Sequence, residues 1–327
     1  MQNARGSVVA VTDYSFDALD IEKGILEPLG CRFVWLKAGK DAAALKDLAK
    51  DADYVITQFA PVDAEVIAAM RACKVIVRYG IGVDNVDLAA AAAKSIPVCN
   101  VPDYCTDEVA DHALTMILEM TRRVAQNAAR VRSGSWSLGV PIEQMQALKD
   151  MTVGVVAFGR IGREVALRLR PFKCRILVHD PKVDAARIRK EGFAPATLDE
   201  VLRQSDLLSL HCPSTAETRQ MINAGSLAKM KPGALFVNVS RGTLVKTDDL
   251  VDALRSGAIA AAAMDVTDPE PLPAGHPLLS MDNVLVNPHC ASGSPSSGLK
   301  LRTQVANIVA AVVQGGKPPN IVNGVQV

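Results

Sequence analysis

Thr152-Val-Gly-Val-Val-Ala-Phe-Gly-Arg-Ile-Gly162 decides how this 327-residue sequence is read. Its first half, Thr152–Val156, is a short β-branched apolar run, the pattern of a buried strand. A helical pattern follows over Ile161–Arg170. A strand that turns through glycine into a helix brings bare backbone amides and the positive end of the helix dipole to one point. Gly159 would let the backbone approach a pyrophosphate, and Gly162 would let the helix pack closely on the strand. Phe158, Gly159, Arg160 and Ile161 are therefore candidates for contact with a dinucleotide. The first position of the usual glycine trio is Ala157, so the fingerprint is incomplete. Asp180 supplies a second signal. It ends the next strand pattern at about the 20-residue spacing where a carboxylate accepts from the adenosine ribose hydroxyls. That charge would repel a 2′-phosphate and so favours NAD over NADP, a preference that nearby Lys182 softens.

Outward from this turn, strand-like runs alternate with helical patterns. Before it come Val8–Val11, Arg32–Leu36, Tyr54–Thr57, Val75–Val77 and Val98–Asn100, separated by helical stretches at Asp17–Leu29, Asp41–Lys50, Asp63–Ala72 and Asp87–Lys94. After it come Ile176–His179, Leu207–Leu210, Leu235–Val239, Ala260–Asp265 and Val284–Asn287, again with helices between. Such alternation predicts an α/β fold of two doubly wound parallel sheets covered by helices. One long helix over Asp107–Arg132 and a last one over Ser297–Gln314 have no place inside either βα series. Both read as interdomain helices, the last returning the chain to the first domain.

Composition removes several function classes. A net charge of +1 with no long basic run gives no footprint for nucleic acid or an anionic membrane. Aromatic residues, at 4 %, are too sparse for a base-stacking surface. The seven cysteines are odd in number, scattered and without a C-x-x-C, which suits reduced thiols in a cytoplasm. The start, Met1 to Gly6, leads into a strand pattern and not into a signal-peptide core. The most apolar helical run, Val109–Met120, carries Asp111, His112 and Glu119 and is too charged to span a bilayer.

Several further segments, in order, resemble the D-isomer-specific 2-hydroxyacid dehydrogenase family. Arg78-Tyr-Gly-Ile-Gly-Val-Asp-Asn-Val-Asp87 resembles its substrate loop. Asn100-Val-Pro-Asp-Tyr-Cys-Thr-Asp-Glu-Val-Ala-Asp-His-Ala113 resembles its hinge and the start of its dimer helix. Val237-Asn-Val-Ser-Arg-Gly242, Asp265-Val-Thr-Asp-Pro-Glu-Pro-Leu272 and Asn287-Pro-His289 resemble its catalytic segments. Trp136 and Pro141–Leu148 fit a branch near the C-terminal-binding-protein corepressors and the phosphoglycerate dehydrogenase-like enzymes. The resemblance implies a Rossmann-type NAD domain, residues 102–293, inserted into a flavodoxin-like substrate domain, residues 1–101 and 294–327. It also implies a homodimer. As cofactor contacts it implies His211, Cys212, Pro213, Thr218, Val239 and Asp265; for substrate it implies Arg78, Tyr79, Gly80 and Ile81.

The residue types suit that chemistry. A 2-hydroxy acid needs a fixed cation for its carboxylate and a base for its hydroxyl. Arg241 follows a strand end, where open α/β sheets bind ligands, and its planar fork can grip a carboxylate. His289 follows another strand end and can take or return a proton. Glu270, in a loop stiffened by Pro269 and Pro271, would orient His289 and fix its tautomer. A competing use of these residues joins His211-Cys212 to His289-Cys290 as a zinc site, but the spacing is not that of a usual zinc motif, and no metal is expected. Thr57-Gln-Phe-Ala-Pro61 lacks the arginine that the family's phosphoglycerate enzymes generally carry there, and no regulatory domain is expected after Gln314. Both point to a small unphosphorylated 2-oxo acid, with Tyr79, Phe59, Tyr104 and Trp136 as candidate pocket liners. The expected function is NAD-linked oxidation and reduction of a D-2-hydroxy acid. The rival is an NAD-dependent, corepressor-like dimeric binding protein with little turnover.

Overall fold

The structure, a computed structural model, describes residues 6–39 and 41–327. The segment before Gly6, read above as no signal core, lies outside the described residues, as does Lys40. The chain divides into two compact units, one through Tyr104 together with Ser294–Val327, the other Cys105–Gly293.

In the first unit the order is β1 (Val8–Val11), α1 (Asp20–Leu26), β2 (Arg32–Trp35), α2 (Ala42–Ala49), β3 (Tyr54–Thr57), α3 (Ala64–Ala69), β4 (Val75–Arg78), α4 (Leu88–Ala93) and β5 (Val98–Cys99). The strands pair in parallel in the order β2-β1-β3-β4-β5, the doubly wound arrangement expected. β1, β3 and β4 carry near-continuous apolar runs because both sheet faces are covered. Leu19 and Leu26 pack on one face, while Leu45, Ala49, Val66, Ile67 and Ala91 pack on the other. Asp41, Asp63 and Asp87 cap α2, α3 and α4 by accepting from first-turn amides.

The second unit opens with α5 (Thr106–Arg122) and α6 (Val124–Arg132). The single helix read over Asp107–Arg132 is thus corrected to two. Arg123 between them is left-handed, with φ 54°, and is buried. Glu119 spans the break: its carbonyl accepts from the Arg123 amide and its carboxylate from the Ala125 amide. Then follow β6 (Thr152–Val156), α7 (Arg160–Leu169), β7 (Arg175–His179), α8 (Ala185–Lys190), β8 (Ala194–Pro195), α9 (Leu198–Gln204), β9 (Leu207–Leu210), α10 (Ala224–Leu227), β10 (Ala234–Asn238), α11 (Thr247–Arg255), β11 (Ile259–Met264) and β12 (Val284–Val286). The sheet runs β12-β11-β10-β9-β6-β7-β8, all parallel. β8 was not read from sequence. Arg168 of α7 donates to Asp107 and Asp111 of α5, fastening those helices together.

The chain then returns to the first unit as α12 (Pro295–Val313), started by a Ser294–Ser297 capping box. Leu301, Val305 and Val309 enter that unit's core. Arg302 reaches the fully buried Glu22 of α1, donating at 2.9 Å and 2.7 Å.

Candidate active site

The glycine turn joins β6 to α7 with the geometry a dinucleotide site needs. A Cβ on Gly162 would lie 2.1 Å from the Ala157 carbonyl oxygen, so only glycine lets α7 sit this close to the turn. A Cβ on Gly159 would meet nothing within 4 Å. Its backbone therefore fronts open space, and α7 has no side-chain cap on its first amides. Ala157 occupies the left-handed region, φ 75°, where the family's glycine would be relaxed. The Asp180 carboxylate accepts from Phe158 N at 2.7 Å and Lys182 N at 2.8 Å, fixing it at the end of β7. The Phe158 ring is buried edge-on against Phe193, leaving only its backbone for a cofactor. Uncapped amides, open space over Gly159 and a fixed acid fit a dinucleotide. Arg160 and Ile161 supply the first helical amides.

The three proposed reacting residues lie on neighbouring strand ends. Arg241 follows β10, Glu270 lies in the loop after β11, and His289 follows β12. His289 Nδ1 and Glu270 Oε1 are 2.7 Å apart. Burial pushes the Glu270 carboxyl up, but the His289 hydrogen bond and charge, the Thr267 amide and the Arg241 charge outweigh it and hold the carboxyl below its ordinary range. Gly242 explains how the Arg241 loop comes so near. A Cβ there would stand 1.9 Å from the Thr267 carbonyl oxygen, so the two loops touch backbone to backbone. Arg241 Nη1 donates to Ser240 O at 2.7 Å, which turns the guanidinium back along its own loop.

Asp265, buried at the end of β11, organises the histidine. Its carboxylate accepts from Cys290 N at 2.9 Å and Ala291 N at 2.8 Å, and its carbonyl accepts from His289 N at 2.8 Å. His112 of α5 lies 3.6 Å from the same carboxylate and 3.1 Å from Asn287 Nδ2. Neither His112 nor Asn287 stands out as a site residue from sequence. The only available signal was that both lie in the quoted family segments. His211-Cys212 and His289-Cys290 do not assemble as a ligand cluster among the described residues. His211 Nε2 bonds Ser209 Oγ at 2.9 Å, and the Cys212 thiol turns to Met221.

Burial pushes the His211 imidazole down to about 3 and the Cys212 thiol up to about 11. Thr218 Oγ1 donates to Pro213 O at 2.7 Å and accepts from Thr215 N at 2.8 Å, so it shapes the loop after β9. Val239 is buried where β10 ends. In the first unit the Tyr79 side chain is corrected from pocket liner to core strut. It is 1 % exposed, donates to Glu22 Oε1 at 2.9 Å and packs edge-on to Phe16. Gly80, φ 143°, leaves room for the Arg78 guanidinium, and its amide donates to Arg78 O. Asn100 holds Ile81 O at 2.6 Å. Trp136 is exposed in a loop of the second unit, and Tyr104 is half-buried against the first unit's core.

Residues 114–291 match the model of the D-isomer-specific 2-hydroxyacid dehydrogenase NAD-binding domain. The chain belongs to the D-isomer-specific 2-hydroxyacid dehydrogenase family. That family comprises oxidoreductases acting on CH–OH groups with NAD(P). The chain is 37 % identical over 283 residues to a glyoxylate reductase of Korarchaeum cryptofilum, covering 84 % of this chain and 83 % of that protein. It is 35 % identical to a D-3-phosphoglycerate dehydrogenase of Archaeoglobus fulgidus over 85 % of this chain, but spans only 53 % of that protein's length. Among solved structures, Aquifex aeolicus D-lactate dehydrogenase with NAD and lactic acid superposes with TM-score 0.88 at 27 % identity, covering 97 % and 99 % of the two chains. An NADPH-dependent glyoxylate/hydroxypyruvate reductase of Sinorhizobium meliloti, with NADP and malonate, gives 0.85 at 29 % identity over 97 % of each chain. A nucleotide-binding unit inserted within a substrate unit, the arrangement expected above, is the fold of this family.

Proposed function

We propose that the chain reduces and oxidises a small, unphosphorylated 2-oxo/D-2-hydroxy acid with NAD(H). The observation that carries this reading is the 2.7 Å pairing of His289 with Glu270 beside Arg241, in the unit that also holds the glycine turn. When bound, the nicotinamide gives or accepts the hydride. Arg241 grips the substrate carboxylate and oxygen through its planar fork. Glu270 accepts from His289 Nδ1, which orients the ring and assigns proton exchange with the substrate oxygen to Nε2. As the imidazolium forms during oxidation, the Glu270 carboxylate stabilises it. Gly159, Arg160, Ile161 and the backbone of Phe158 hold the pyrophosphate. Asp180 takes the ribose and makes NAD the preferred cofactor, and the loops at His211–Thr218, Val239 and Asp265 line the rest. For the Arg78–Ile81 loop we assign substrate contact to Arg78 and the Ile81 backbone, because Tyr79 belongs to the core and the Gly80 amide is taken up by the Arg78 carbonyl.

A homodimer fits the apolar surface that α6 and the loop after it leave uncovered. Val124, Val131, Trp136, Leu138 and Ile142 are all exposed, whereas α5 is packed inside its own unit against α7.

The test follows NADH and NADPH absorbance with glyoxylate, hydroxypyruvate, pyruvate and a phosphorylated 2-oxo acid. Turnover of an unphosphorylated acid, faster with NADH, is expected. His289→Ala should lower turnover by about a hundredfold or more while sparing NAD affinity. No turnover of any acid, or a His289→Ala variant of ordinary speed, refutes the assignment.

A further inference from the structure

Beside the reacting trio, three potential metal ligands converge where β11 and β12 end against α5. Asp265 is the centre of the group. His112 Nε2 lies 3.6 Å from Asp265 Oδ1, Cys290 Sγ lies 3.6 Å from the same oxygen, and all three atoms fall within 4.8 Å of one another. Zinc bonds a thiolate sulfur at about 2.3 Å and an imidazole nitrogen or carboxylate oxygen at about 2.0–2.2 Å, so the ligand atoms of a tetrahedral ion stand about 3.4–3.6 Å apart. Both pairs through Asp265 already have that spacing. Closing the sulfur–nitrogen pair needs only a rotation of the exposed Cys290 side chain. The zinc set rejected on spacing drew on His211, Cys212 and His289; this one contains none of them.

Each atom has a lone pair to give. Asn287 Nδ2 donates to His112 Nε2 at 3.1 Å, which marks that nitrogen as the acceptor of a neutral imidazole. Asp265 Oδ1 accepts from Cys290 N on one side and from the Cys290 thiol on another. A metal ion takes the place of that thiol proton: the proton leaves to solvent, a sulfur–metal bond forms, and nothing is oxidised or reduced. Charge favours the exchange. Asp265 is 1 % exposed, its carboxylate is held by uncharged amides, and among the described residues no lysine or arginine pairs with it. Buried charges are normally paired or coordinate metals. A divalent ion between carboxylate and thiolate leaves the group neutral. Thiolate and imidazole select zinc-like ions over magnesium and calcium, which take oxygen ligands. Of the seven thiols Cys290 alone is exposed, so the ion has a way in and its fourth position is left to water.

We propose that His112, Asp265 and Cys290 form an inhibitory site for a zinc-like divalent ion. The ion inhibits because it occupies the lone pairs of Asp265. That part rests on the reading of Asp265 as a cofactor contact, whereas the metal site itself does not.

Titration of the untagged, cofactor-free chain with cobalt(II) tests it. A single ion per chain should give the visible bands of tetrahedral cobalt together with a thiolate-to-cobalt charge-transfer band, and zinc should bleach both. Loss of an outer partner alone costs about 10–100-fold in metal affinity, so removing a ligand through Cys290→Ser or His112→Gln should weaken zinc by at least that much. Cys290→Ser should also remove the charge-transfer band, whereas His112→Gln should keep it; a parent-like melting temperature shows that each variant is folded. Zinc should slow oxo acid turnover, and NADH should displace the ion. Absence of the cobalt bands overturns the site, as do bands that Cys290→Ser leaves intact. Zinc that binds with this signature but is indifferent to saturating NADH overturns the inhibitory part. NADH that fails to bind the metal-free chain refutes the cofactor reading alone, and the bands then still support the site.

Discussion

Gly159→Ala and Gly162→Ala should fail in opposite ways, and the structure says by how much. At Gly162 the new methyl would stand 2.1 Å from the Ala157 carbonyl oxygen and 3.3 Å from His211 Cβ. The first neighbour is backbone, so α7 itself must shift. Overpacking of this kind costs about 1–3 kcal/mol. Alanine returns up to about 1 kcal/mol through its higher helix propensity. A net loss near 1–2 kcal/mol is expected in the cofactor-free protein, lowering the melting temperature of a unit this size by about 2–8 °C. At Gly159 the backbone is extended, φ −73° and ψ −162°, and the methyl meets nothing within 4 Å. Alanine's weaker capping, about 0.5 kcal/mol or more, is offset by its smaller unfolded-state entropy, about 0.4–1 kcal/mol. The cofactor-free protein should therefore keep its stability, yet the methyl fills the space assigned to the pyrophosphate. NAD affinity should fall at least tenfold, about 1.4 kcal/mol. Scanning calorimetry without cofactor and calorimetric titration with NADH measure the two effects separately. If Gly159→Ala binds NADH normally, the pyrophosphate does not lie over Gly159. If Gly162→Ala melts with the parent, the helix is not held by that contact.

Other perturbations probe neighbouring parts of the site. Ala157→Gly relieves a left-handed alanine, worth about 1–2 kcal/mol, against about 0.4–1 kcal/mol of added unfolded-state entropy; calorimetry should show a small gain in stability. Gly242→Ala should push the Arg241 loop off the Thr267 backbone and cut turnover more than NADH affinity, which steady-state kinetics and titration resolve. His211, held down to about 3 by burial, stays neutral in the folded protein while the unfolded chain takes up a proton below about 6.5. Stability should therefore fall as pH drops from about 6.5 toward 3, and His211→Gln should flatten that part of a pH–melting curve.

Much of this arrangement was legible because it is local in sequence. Apolar runs bounded by turn residues gave the strands that the core covers on both faces, and a glycine turn followed by an acid gave the nucleotide unit. The misses share a cause: their determinants are distant or unmarked. β8 is the two-residue edge strand Ala194–Pro195, too short to show a period. The break at Arg123 has no glycine or proline to announce it; Glu119 makes it by serving both sides. Tyr79 looked like a pocket aromatic beside glycines, but its hydroxyl finds Glu22, which is held by Arg302 from the far end of the chain. No pattern within a window of sequence connects those three residues. The trio was legible as types at strand ends, whereas the contact between the Gly242 and Thr267 backbones that draws their loops together was not.

Asp265 shows why strand ends can hold such a group to tight tolerances. His289 sits at φ 53°, a conformation that costs a side-chain-bearing residue about 1–2 kcal/mol and is retained only where the surroundings over-determine it. Here they do. The residue's own amide is held by the Asp265 carbonyl, and the next two amides are held by the Asp265 carboxylate. Asp265 is itself buried and anchored through its amide to Asn238 O on β10, the strand that delivers Arg241. The histidine and the arginine are thus referenced to one pair of adjacent strands, and Glu270 closes the set from the loop between Asp265 and β12. A sheet that is rigid because both faces are buried fixes the spacing of the two groups, and the strained turn at His289 aims the imidazole. Asp265 therefore acts mainly through the shape of the histidine loop, and only the lone pairs left over by these amides and the Cys290 thiol remain for a cofactor.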